Sequence, residues 1–178
     1  MQAVIVYESM YGNTRQIAEA IAEGVHEAAP DAQVSCLPVG GATADVTRSA
    51  DLLVVGGPTH MHGMSSGLSR GLARGTKAQK AARESGALVA DDEPDENPGL
   101  RTWFHHLPDT ENGTHAAAFD TRADSRMSGG AADGIARRLA HHHYDVLAEP
   151  EGFIVEDAEG PLRAGELDRA RTWGAGLV

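Results

Sequence analysis

Ser9-Met10-Tyr11-Gly12-Asn13-Thr14 gathers two aliphatic hydroxyls, an amide and a glycine into six consecutive residues, directly after an apolar run and before a helical pattern. A helix start presents unpaired N–H groups and a partial positive charge, so it suits an anion. The Ser9 and Thr14 hydroxyls and the Asn13 amide can add hydrogen bonds, and Gly12 lets the backbone approach closely or turn to positive φ. The nucleoside-triphosphate pattern Gly-x-x-x-x-Gly-Lys-[Ser/Thr] and the dinucleotide pattern Gly-x-Gly-x-x-Gly are both absent from this loop. The same residue types also make an ordinary capped helix start, and local physics leaves both open.

Other residues carry competing chemistry. Gly63-Met64-Ser65-Ser66-Gly67 matches Gly-x-Ser-x-Gly, the elbow of a hydrolase nucleophile. That elbow needs a turn straight from strand to helix, and here the preceding strand is expected to end near Val55. His141-His142-His143 and His105-His106 suggest a metal. Adjacent helical residues point about 100° apart and do not converge on one ion, so the first run is expected to end a helix instead. No metal is expected.

The elements that must position these residues follow from periodicity. Val4-Ile5-Val6-Tyr7 reads as a strand buried on both faces. Residues 14–28 place Ile17, Ile21 and Val25 on one helical stripe, ended by Pro30. Strands are expected at 33–37, at 52–55 with Gly56-Gly57-Pro58 ending it, at 115–119 and at 153–155. Helices are expected at 130–142 and at 165–177, the latter with Leu167, Ala170 and Leu177 along one side. Leu100, Trp103, Phe104 and Leu107 form another helical stripe. Alternating strands and helices imply an α/β fold, a doubly wound five-stranded parallel sheet of order 2-1-3-4-5 in three layers. In that topology a ligand sits beyond the carboxyl ends of the strands where the order reverses. The loops there are 9–14, 58–63 and 120–129.

Composition bounds the rest. The 178 residues fit one domain, 1–178, with a mobile acidic excursion expected at 76–99, where Asp91 to Glu96 place five acids in six residues. The net charge of −11 disfavours nucleic acid and an acidic membrane surface. Cys36 stands alone, which excludes an internal disulfide and a multi-cysteine metal site. The chain enters a strand at once and holds no apolar run of membrane length, so a cytoplasmic location is expected. A phosphate-accepting receiver of the same strand order would need an Asp at the end of the third strand, where Gly56-Gly57-Pro58 stands.

The run Ile5-Val6-Tyr7-x-Ser9-x-x-Gly12-x-Thr14-x-x-x-Ala18-x-x-Ile21 resembles the signature of the flavodoxin family. The resemblance implies a flavodoxin-like fold over nearly the whole chain and an FMN cofactor. It implies that Ser9, Met10, Tyr11, Gly12, Asn13 and Thr14 hold the FMN phosphate. Pro58, Thr59, His60, Met61, His62 and Gly63 look like the family loop that covers one flavin face, with Gly63 at the small residue near flavin N5. His60 and Met61 depart from the family's large aromatic; a methionine sulfur can still pack on a ring. In the third loop, Thr121 and Arg122 are taken as flavin neighbours, Arg122 offering a planar face and five donors where the family commonly has glycines, acids and a tyrosine.

The implied function is an electron carrier working through FMN, with a redox partner that docks a basic face on this acidic chain. Two alternatives stand beside it: a small FMN-dependent NAD(P)H:quinone reductase, and a binding module of the same fold that has lost FMN. A cation near the reduced, anionic flavin raises its potential, so contact with His60, His62 or Arg122 implies a less reducing flavin than in carrier flavodoxins.

Overall fold

The computed structural model describes residues 1–60, 63–64, 99–110, 113–124, 130–157 and 159–178. Strand β1, Gln2–Tyr7, runs parallel to β2, Gln33–Pro38, on one side and to β3, Leu52–His60, on the other. Beyond β3 comes β5, His115–Ala123, again parallel. A two-residue strand β4, Gly63–Met64, folds back antiparallel on the end of β3. The fifth position of the sheet is shared: β6, Asp145–Val146, pairs with the start of β5, and β7, Glu151–Val155, pairs with its end. The order is therefore the expected 2-1-3-4-5, with β4 as an addition and the last place split in two.

Side-chain parity along the strands sorts the core into two layers. Ala3, Ile5, Leu52, Val54, Ala117 and Phe119 face α1, Asn13–Ala28, and α5, Glu166–Ala175. Val4, Val6, Leu53, Val55, Ala116 and Ala118 face the other way. There they meet α3, Leu100–Phe104, and α4, Ala131–His141; the short α2, Ala44–Arg48, lies between β2 and β3 in the chain. The stripe of Leu100, Trp103, Phe104 and Leu107 is buried, as its spacing implies.

Three expectations change. Strand β3 does not end at Val55: Gly56, Gly57 and Pro58 stay in register with Phe119, Asp120 and Thr121. The glycines there make room rather than a turn. A Cβ on Gly56 would stand 2.1 Å from the Phe119 ring, and one on Gly57 would stand 2.6 Å from Leu100. Strand β5 likewise runs on to Ala123, so residues 120–123 are strand and not loop. In α5 the inward stripe is not led by Leu167, which is 40 % exposed; Ala170 and Gly174 face inward. Gly174 and Gly24 bring α5 and α1 into backbone contact, since a Cβ on Gly24 would meet the Arg171 carbonyl oxygen at 2.0 Å.

Helix α4 ends at His141, and the His142 Nδ1 lies 2.8 Å from Asp109 Oδ1. Among the described residues no group of three or more His, Cys, Asp or Glu side chains could hold a metal. Nor is any helix among them long and apolar enough to cross a membrane. The excursion expected at 76–99 lies outside the described residues but for Gly99, as do Ser65 to Gly67 of the hydrolase-like motif.

Candidate functional site

The carboxyl edge of β1 leads into the loop 8–12, which turns the chain into α1. Gly12 takes φ 87° at the helix start, a left-handed conformation that a side chain would strain. The Ser9 hydroxyl accepts a hydrogen bond from the Gly12 N–H at 3.1 Å, which closes the loop on itself. Gly12, the residue at the helix start, brings no side chain to cap it. The first-turn N–H groups and the helix dipole favour a negative group there. Met10 is buried and Tyr11 half-buried beside them.

Thr14 is 2 % exposed, and its hydroxyl lies 2.7 Å from that of Thr121 on β5, itself 5 % exposed. Parity explains the meeting: Thr121 follows Ala117 and Phe119 on the face covered by α1. Asn13 turns elsewhere. Its side-chain amide donates to the Glu159 carbonyl at 3.1 Å and lies against Gly160. The structure thus brings Ser9, Gly12, Thr14 and Thr121 together and sends the Asn13 amide to the turn before the last helix.

Pro58 and Thr59 end β3 at the same sheet edge. The Thr59 hydroxyl accepts from the Ala131 N–H at 2.9 Å, so it caps α4, and it lies close enough to the Asp120 carboxylate to favour its charged form. The backbones of His60 in β3 and Gly63 in β4 pair with each other. Met61 and His62 lie outside the described residues.

Arg122 alternates to the opposite face from Thr121. Its Nε stands 2.9 Å from Asp120 Oδ1, and its guanidinium lies over Gly152, where a Cβ would come within 1.9 Å. The approach to Oδ1 is too far out of line to count as a hydrogen bond, so that buried oxygen is ion-paired without accepting one. Asp120 Oδ2 accepts from the Ala132 N–H at 2.9 Å. Burial pushes the Asp120 carboxyl up from the usual range, more than the Ala132 N–H, Arg122 and Thr59 pull it down; Asp133 adds to the rise.

Two carboxylates of this edge were not among the sequence-predicted site residues. Asp120 stands in the third loop of the sequence, but its place under α4 depends on β5 continuing past Phe119. Glu8, between the buried β1 and Ser9, is 5 % exposed and accepts from the Leu100 N–H at 2.9 Å. An acid placed directly after an apolar strand was the available signal. Its partner lies 92 residues away.

The edge thus sets the first turn of α1 beside the Ser9, Thr14 and Thr121 hydroxyls, an arrangement of donors that suits an anion. A family model for flavodoxins matches residues 5–98, more than half of the chain. No curated protein matches it. Among solved structures, a flavodoxin from the domain Archaea is 20 % identical with a TM-score of 0.62, over 99 % of this chain and 96 % of that one. Oxidised flavodoxin 1 from Bacillus cereus is 16 % identical with a TM-score of 0.66, over 99 % of this chain and 97 % of the other. The two-electron reduced flavodoxin of Megasphaera elsdenii is 20 % identical with a TM-score of 0.59, over 99 % of both. At such identities these likenesses concern the fold.

Proposed function

The chain belongs to the flavodoxin family, and on that premise we propose that it is an electron carrier working through bound FMN between protein partners. The observation that carries the reading is the α1 cradle: a left-handed Gly12, an uncapped first turn and buried hydroxyls at one strand edge. These residues fit a phosphate monoester. Its oxygens are acceptors only, and the cradle offers donors from the backbone, from Ser9 and from the Thr14–Thr121 pair.

When bound, the flavin supplies the electron transfer, and the protein contributes binding, orientation and electrostatics. Ser9, Gly12 and Thr14 would hold the phosphate. Tyr11, Pro58 and Thr59 would border the rest of the cofactor at the same edge. Glu8 and Asp120 hold α3 and α4 by their first N–H groups, and so fix the walls around it. The net charge of −11 supports docking on a partner with a basic face.

The visible spectrum of the purified protein, recorded before and after adding FMN, tests the cofactor. Bands of a bound flavin are expected; a protein that takes up no FMN would be a binding module of this fold. Reduction by a partner reductase, with no steady oxidation of NAD(P)H by quinone, is expected of the carrier. Steady turnover of NAD(P)H with quinone would make it a reductase instead.

A further inference from the structure

We infer that Thr121 is a positioning residue of the phosphate cradle: its hydroxyl donates to Thr14 and so leaves the Thr14 hydrogen for the phosphate. The inference rests on the reading that this cradle takes FMN.

A count of hydrogens leads to it. Thr14 Oγ1 and Thr121 Oγ1 lie 2.7 Å apart, and either atom could be the donor. Two hydroxyls carry two hydrogens, and one bond between them uses one. Neither hydroxyl has another partner among the described residues. Both residues are at least nine-tenths buried. A buried donor left unmet costs about 1–3 kcal/mol, so the pair is short of one acceptor.

The surroundings say what kind of acceptor. The first turn of α1, which starts at a glycine without a capping side chain, adds its N–H donors at Thr14. A group that accepts from all of them at once is an anion, and neither a cation nor a neutral donor would serve.

Direction follows from place. The helix N–H groups belong to the turn that holds Thr14, whereas Thr121 comes from the neighbouring strand. An anion at the helix start therefore meets Thr14 last in the sequence Thr121 to Thr14 to phosphate oxygen. Each hydroxyl in such a chain donates once, and each bond polarises the next. Thr121 then has its hydrogen satisfied, Thr14 is locked in orientation, and no proton is transferred. The two residues are 107 apart in sequence. The parallel register that sets Thr121 opposite Pro58, with strand parity, brings it to α1.

The test compares dissociation constants of the flavin-free full chain for FMN and for riboflavin, which lacks the phosphate, by quenching of flavin fluorescence. Inorganic phosphate serves as a third probe, through the competition it offers to FMN. Thr121→Val keeps the shape and removes the hydroxyl; Thr121→Ser restores it. The valine variant is expected to bind FMN about 5–10-fold more weakly, to bind riboflavin as the wild type does, and to be less sensitive to phosphate. The serine variant should lie within about twofold of wild type. Unchanged FMN affinity in the valine variant would overturn the role, and so would equal losses for FMN and riboflavin, which mark a merely structural bond. If the wild type itself holds riboflavin as tightly as FMN, the phosphate reading falls and the Thr121 role falls with it. An undiminished preference for FMN over riboflavin in Thr121→Val overturns Thr121 alone.

Discussion

Arg122 Nε stands 2.9 Å from Oδ1 of Asp120, and that carboxylate is wholly buried at the start of α4. The pair joins two functions that parity keeps on one face of β5. Asp120 satisfies the Ala132 N–H of a helix whose own leading residue, Gly130, provides no cap. Arg122 offsets the charge that burial makes costly, and it lies over Gly152, where only hydrogen leaves room.

Asp120 should make stability depend on pH. Desolvation raises its carboxyl above the usual value, so the folded state holds that proton more tightly than the unfolded chain does. The associated stabilisation is full below the unfolded value, near ~3.9, and is lost as pH rises through the folded one. Asparagine does not titrate. The stability of the wild type minus that of Asp120→Asn should therefore fall as pH goes from about 4 towards 7, measured by urea unfolding of both proteins. A difference that grows with pH would refute this. Asp120→Ala should cost about 2–3 kcal/mol at neutral pH, because the Ala132 N–H and Arg122 both lose their partner.

Glu8 should hold the start of α3 through its bond to Leu100. Glu8→Ala leaves the Leu100 N–H without its acceptor in a buried place and should cost about 1–3 kcal/mol by denaturant unfolding. Glu8→Gln keeps an acceptor there and should recover most of that loss. Equal losses in the two variants would mean that the charge, and not the bond to Leu100, is what matters.

The strands, the main helices and the strand order were legible because β-branched runs such as 4–7 and 52–55 alternate with a 3.6-residue stripe such as Ile17, Ile21 and Val25. What was not legible came from contacts across the chain. Gly56-Gly57-Pro58 carries the composition of a turn, yet it stays in the sheet because the Phe119 ring and Leu100 need the space. The residue types of the loop 9–14 suit an anion site and an ordinary capped helix start alike, and nothing local revealed that the Asn13 amide would turn to Glu159. The sequence offers Arg122 as a flavin neighbour and does not show its pairing with Asp120, because the two share a face only if the strand continues. Thr121 and Thr14 meet through parity and register together.

Cys36 should resist thiol reagents in the native protein. Burial in β2, with Glu19 adding to it and Arg15 opposing, pushes its thiol up to about 12. At pH 8 the thiolate fraction then lies roughly a thousandfold or more below that of a free cysteine, and the thiolate is the reactive form. Iodoacetamide labelling followed by mass spectrometry should give a native rate lower by about that factor than the rate in urea. Comparable rates in the two states would show that the thiol is not held in the protonated form.

The Asp120–Arg122 pair also bears on redox poise. A lone cation at this edge would favour the reduced, anionic flavin and raise its potential. Here the Arg122 charge is offset by a carboxylate 2.9 Å away, so the field reaching the cofactor is that of a pair, weaker and shorter in range. Removing one charge should uncover the other. Asp120→Asn should raise the two-electron potential of the bound FMN by ~15–30 mV, the equivalent of about 0.7–1.4 kcal/mol. Arg122→Gln should lower it by a similar amount, and the double variant should return close to the wild type. Potentiometric titration of the four FMN-loaded proteins at one pH and ionic strength makes the comparison. Potentials that stay together in all four would show that the pair acts only on α4 and β7. A fall in Asp120→Asn would show that the Asp120 carboxylate, when charged, does not oppose Arg122 at the flavin.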